Sequence, residues 1–192
     1  MIAVHQRRRS IWRTAARAVA PLLSVFLVLG AAVAEEGQIG QITAVSGTVS
    51  VVRGTDRLAA KTGDKVYRSD VIETGADGEA GVTLVDSSRF SIGARSQVAV
   101  EEFQFDPATS LGRMTAGLRQ GTLAVTSGEI THKTPGAMRI RTPTSILAVR
   151  GTTFGVEVIG GKERYVVFPN RGGGSGAISV KTPTAGAPAR QP

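Results

Sequence analysis

The sequence predicts an all-β protein, a single compact β-roll or two-layer β-sandwich, and three observations carry that prediction. Short runs with a period of two recur from Gln38 onward, turn residues separate them, and no amphipathic helical stretch follows the first 34 residues. Many short strands divided by glycine turns also suit a short β-solenoid, which is the alternative architecture.

The elements follow in order. "QITAVSGTVSVVRG" alternates around Val49 and Val51, and "EAGVTLVD" sets Ala80, Val82 and Leu84 on one side. "SRFSIGA" offers Phe90 and Ile92, and "SQVAVEEFQF" offers Val98, Val100, Phe103 and Phe105. Later come "GTLAVT", "AMRIRT", "SILAVRGTTFGVEV", "RYVVF" and "AISVKT", which brings the count to about ten strands. "GADGEA" reads as the best hairpin turn, because Asp77-Gly78 suits positions that need positive φ. The region Pro107 to Leu118 has room for one short helical turn and no more. "PNRGGGSGA", Pro169 to Ala177, reads as a flexible loop between two late strands. The triplets "KTP", "RTP" and "KTP" at Lys133, Arg141 and Lys181 lack a constant period and read as similar strand ends.

The N-terminus has a different composition. "MIAVHQRRRSIWRTAAR" carries five arginines and no acid, and an apolar run from Ala18 to Ala34 ends in Ala32-Val33-Ala34. A basic stretch, an apolar core and a small-residue site are the layout of a signal peptide over residues 1–34, with cleavage after Ala34. The alternative is an uncleaved anchor, for which the run is short against the roughly 20 residues a spanning helix needs. "RRSIW" also resembles the core of a twin-arginine export signal. The expected organisation is therefore a signal peptide over 1–34, an all-β domain over 38–181 and a disordered tail over 182–192.

Removing the leader changes what the charge means. Of 23 Lys and Arg, five lie in the leader, which leaves 18 against 15 acids, a net +3 in place of +8. The remaining cations are scattered and no aromatic-rich basic stripe accompanies them, so nucleic acid is not an expected partner. The chain has no cysteine, so an exported domain of this kind has to stand on its apolar core without disulfides. An Arg-rich leader and a cysteine-free domain point to a bacterial periplasm.

Few groups could carry catalysis. His132 is the one histidine beyond the leader, and its Thr-Lys-Thr surroundings read as a solvated strand end. No G-x-S-x-G elbow is present, "GGGSG" lacks the lysine of a phosphate-binding loop, and the acids between Asp64 and Asp86 fit no calcium spacing. With no cysteine and so little histidine, a zinc site lacks its usual ligands. We expect no enzyme, no cofactor and no metal.

The sharpest question lies in "RTPTSILAVRGTTFGVEV", Arg141 to Val158. Counting by twos puts Arg150 on one face with Ile146, Ala148, Thr152, Phe154, Val156 and Val158. A guanidinium among core residues needs a buried acid, a ligand, or a bulge at Gly151 that turns it outward. The expected arrangement is a buried ion pair, with Asp70 as the first candidate partner and Asp64 as the second; a ligand site and the bulge are the alternatives.

The order of these motifs resembles the FecR domain, the periplasmic sensing module of bacterial cell-surface signalling systems. The matching residues are Gly47 to Val51, Gly63-Asp64, Asp70 with Glu73-Thr74-Gly75, Leu84 to Ser88 with Phe90 and Ile92, Gly121-Thr122-Leu123, Thr142-Pro143, and Val149-Arg150-Gly151-Thr152 to Phe154. The resemblance implies a structural motif of Asp64, Asp70, Thr74, Gly75, Arg150, Gly151, Thr152 and Phe154. It also implies the fold and a periplasmic location. Founding members carry a cytoplasmic anti-sigma region ahead of a membrane helix, whereas 17 residues precede the apolar run here. The expected function is thus an exported module that binds another envelope protein or a glycan. The alternative is a periplasmic regulator that passes a signal to a membrane or sigma-factor partner.

Overall fold

The computed structural model describes residues 37–168 and 176–182, which fall within one compact unit, Ala34–Pro192. The expected signal peptide over 1–34, most of the expected loop after Phe168 and the tail beyond Thr182 lie outside the described residues. Among the described residues there are fourteen strands and one short helix. The strands are β1 (Gln38–Ser46), β2 (Val49–Arg53), β3 (Asp56–Ala59), β4 (Lys65–Tyr67), β5 (Val71–Thr74), β6 (Glu79–Leu84) and β7 (Arg89–Ile92). There follow β8 (Gln97–Asp106), β9 (Leu111–Thr126), β10 (Met138–Arg141), β11 (Ile146–Arg150), β12 (Thr153–Ile159), β13 (Lys162–Phe168) and β14 (Ala177–Lys181). The helix α1 (Glu129–Lys133) lies between β9 and β10.

The protein is all-β, as its alternation predicts. The strands make one continuous, curled sheet that the long strand β9 divides into two halves. One half, sheet A, runs β4-β1-β6-β7-β9-β12-β13. The other, sheet B, runs β3-β2-β5-β8-β9-β10-β11-β14. Among the described strands only β9 and β10 pair in parallel, whereas stacked solenoid coils pair in parallel throughout. Inward residues of both halves, including Ile42, Phe90, Met114, Leu123, Leu147 and Phe154, are buried in one cluster. Burying these large side chains, each typically worth about 1.5–3 kcal/mol, is the principal term holding a cysteine-free domain together.

Two glycines let strands pass from one half to the other. In β9, even residues Met114, Ala116 and Leu118 face the core before Gly121, and odd residues Leu123 and Val125 face it after. Gly121 has φ +91, and a side chain there would run into Ser96. Gly151, at φ +52, does the same between β11 and β12: Leu147 and Val149 are inside before it, Phe154, Val156 and Val158 after it.

Several local expectations are corrected. "GADGEA" is not a hairpin: β5 pairs in sheet B and β6 in sheet A, so the turn is a corner between halves. Pro107 to Leu118 holds the β8–β9 hairpin turn and the start of β9, with no helical turn. The helical turn lies instead at α1, where His132 and Lys133 sit in the last turn rather than at a strand end. The additional strands beyond about ten are mainly short ones such as β3 and β4, three or four residues with weak alternation.

Candidate functional site

Asp70 is the buried acid that the sequence singles out, but Arg150 is not its partner. The Asp70 side chain retains 1% exposure and accepts two hydrogen bonds from Arg53, from Nε and Nη2, both at 2.8 Å. The Tyr67 N–H also donates to Oδ2, at 2.8 Å. Arg53 reaches in from the end of β2, stacks 4.2 Å from the Tyr67 ring centroid and keeps its outer edge in water. Asp64, the second proposed partner, caps its own turn by accepting from the Lys61 N–H at 2.8 Å. No ion pair joins either acid to Arg150, which is exposed. The cause is Gly151. It ends the β11 alternation, so Ile146, Ala148 and Arg150 form the outer face of that strand rather than the core face.

Thr74 and Gly75 sit where corners between the halves lie side by side. The Thr74 hydroxyl donates to the Gly93 carbonyl at 2.6 Å and accepts from the Ser96 N–H at 2.8 Å. The Gly75 N–H donates to the Thr48 carbonyl at 2.8 Å, and the Gly75 carbonyl accepts from the Arg95 N–H at 2.8 Å. Ser96 continues the chain by accepting from the Thr122 N–H at 2.9 Å. Thr152 is buried beside the Gly151 turn and donates its N–H to Ser127 Oγ at 2.9 Å, while Phe154 is wholly in the core. These residues therefore lie at separate corners and do not converge on one point.

A second polar cluster joins the β10–β11 turn to β13. Glu163 accepts from the Tyr165 hydroxyl and from the Thr144 N–H, the latter at 3.0 Å, and Tyr165 lies 3.0 Å from Ser145 Oγ. Burial pushes the Glu163 carboxyl up, but hydrogen bonds from Tyr165, Thr144 and Thr142 outweigh it and hold the group at about 2. Burial, and then the neighbouring Glu163, push the Tyr165 hydroxyl above its ordinary value. Among the described residues, no three His, Asp or Glu side chains gather to hold a metal.

What the fold does gather is charge, on the outer face of sheet B. Arg139 and Arg141 of β10 are exposed opposite buried Met138 and Ile140. Pairing places Ala148 beside Arg139, Ile146 beside Arg141, and Lys181 beside Ile146. Arg113 and Arg150 belong to the same face from β9 and β11. Glu102 and Glu101 border it from β8, pairing with Arg113 and Arg141 at 2.5 and 2.7 Å. Between them lies a hollow of about 390 Å3 lined by Thr115, Arg139, Arg141, Ala148 and Lys181 among others. The outer face of sheet A is unlike it: one row reads Ala44, Gly81, Ser91, Ala124, Gly155, small and uncharged.

Residues 70–172, which hold β5 to β13 and Arg113, Arg139, Arg141 and Arg150 of the basic face, match the sequence model of the family described as FecR protein. The chain belongs to the FecR family. No match is found among curated proteins, nor among solved structures. FecR proteins regulate cell-surface signalling and are associated with the cell envelope. Among the described residues of this FecR chain, no helix is long and apolar enough to cross a membrane. The matched segment begins at Asp70, so Arg53 and Tyr67, which hold that carboxylate, come from outside it.

Proposed function

We propose that this FecR-family chain is an exported, non-enzymatic interaction module that docks on another protein of the cell envelope. In this reading the outer face of sheet B is the docking surface, and docking serves the regulation of cell-surface signalling. The observation that carries the reading is the position of Arg150. The charged residue of the "VRGTTF" motif stands on an open, basic face, on the strand next to Arg139 and Arg141, and has no buried partner to stabilise. An exposed arginine on a face that carries several others can meet a complementary acidic surface on a partner. The family match favours the narrower form of this reading, a regulator that passes a signal to a membrane or sigma-factor partner.

Crosslinking in intact cells of the native host, followed by purification of the full chain, tests the proposal. The expected result is a defined adduct with one envelope protein. A chain that crosslinks only to glycan, or to nothing, overturns it.

A further inference from the structure

We propose that the outer face of sheet B binds an acidic segment of its partner in extended form, laid along β10. This rests on the interaction-module reading and gives the partner's contact its chemistry.

The cations on this face stand in step with the strand repeat. Arg139 and Arg141 are alternate residues of β10, so they leave the same face about 7 Å apart. Arg113 and Arg150 flank the level of Ala137, one step before Arg139, because Met138 pairs with Met114 on one side and Val149 on the other. Lys181 pairs with Ile146 at the level of Arg141. Three successive levels therefore each carry at least one cation, at the spacing of alternate side chains in an extended peptide. A peptide with an acid at every second residue would bring a carboxylate to each level, where planar guanidinium groups bind it with two parallel hydrogen bonds.

The rest of the face suits such an occupant. Thr115 and Ala148, beside Arg139 on either side, are short and line the hollow among the longer cations. Glu101 and Glu102 stand only on the β8 side and engage Arg141 and Arg113. Arg139, Arg150 and Lys181 form no ion pair with a described residue, so the uncompensated charge lies over β10, β11 and β14. The two acids repel a polyanion that strays toward β8 and hold it to the β10 line.

Binding of a fluorescent peptide of alternating glutamate and threonine to the purified full chain tests the proposal. The glutamine–threonine peptide is the neutral control, and phosphatidylglycerol vesicles present an anionic surface. We expect the glutamate peptide alone to bind, and binding to weaken as salt shortens the screening length from about 10 to about 3 Å. Arg139→Glu with Arg150→Glu should reduce affinity at least about tenfold, whereas Arg164→Glu on sheet A should not change it. If the reversals lower the melting temperature, Arg139→Gln with Arg150→Gln replaces them, and a several-fold loss is expected. Equal binding by wild type and the sheet B variants overturns the proposal, as does binding to the vesicles in preference to the peptide. The two readings separate in intact cells. If wild type and the reversal variant capture the same envelope protein equally, this face is wrong and the module reading stands. If wild type captures none yet binds the peptide, the module reading falls and the chemistry of the face stands.

Discussion

A carboxylate as deeply buried as Asp70 is tolerated only if cations and donors replace the water it has lost. Arg53 and the Tyr67 N–H supply them, and the pair is asymmetric because Arg53 keeps 44% side-chain exposure. Removing the arginine strands a buried charge; removing the acid leaves a guanidinium that can turn to solvent. Arg53→Met should therefore cost about 3–5 kcal/mol and Asp70→Asn less, about 1–3 kcal/mol, in denaturant unfolding. Arg150→Ala should stay within about 0.5 kcal/mol, since it touches no core group. A large loss with Arg150→Ala would restore the core-facing position that its spacing implies. Glu163 makes a pH-dependent contribution. Its folded value of about 2 lies below the ordinary 4.5, so its stabilising effect is complete above 4.5 and disappears as pH falls toward 2. Melting temperatures measured from pH 5 down to pH 2 should fall less steeply in Glu163→Gln than in wild type. Of these residues, Asp70 was legible, because it shares parity with buried Ile72. Its partner was not, since nothing local marks Arg53 as an inward-reaching arginine.

At the scale of elements, the decisive events are the two changes of parity at positive-φ glycines. Alternation identifies strands well, but counting by twos through Gly151 carries the wrong face forward and places Ile146, Ala148 and Arg150 in the core. The same happens inside β9 at Gly121, where one strand serves both halves of the sheet. The signal was present in principle. Both glycines stand between apolar pairs of opposite parity, Leu118 and Leu123 in one case, Val149 and Phe154 in the other. The two glycines differ in what a side chain would meet. At Gly151 the space is open and only the backbone conformation resists, so Gly151→Ala should cost about 1–2 kcal/mol and Gly151→Asn less. At Gly121 a Cβ would also overlap Ser96, so Gly121→Ala should cost about 2–4 kcal/mol. Chemical denaturation of the three variants checks this order. Equal losses at the two glycines would mean that the corner at Ser96 relaxes freely.

For the whole molecule, the fold class was legible and the candidate site was not, for one physical reason. Alternation is local and survives any topology, whereas the basic face is assembled from Arg113, Arg139, Arg141, Arg150 and Lys181 on four different strands. In sequence these residues look scattered. The parallel pairing of β10 with β9 and the return of β14 to β11 bring them onto one surface, which concentrates positive charge where a partner can meet it. The opposite outer face has a row of alanine, serine and glycine, and its Arg164 is paired with Glu157. Site-specific photocrosslinking in the native host compares the two faces directly, with the photoreactive residue placed at Ala148 or Ser179 on sheet B and at Ser91 or Ala124 on sheet A. The account predicts an adduct with the same envelope protein from Ala148 and Ser179 and none from Ser91 and Ala124. Adducts from the sheet A positions alone, or equally from both faces, would contradict it.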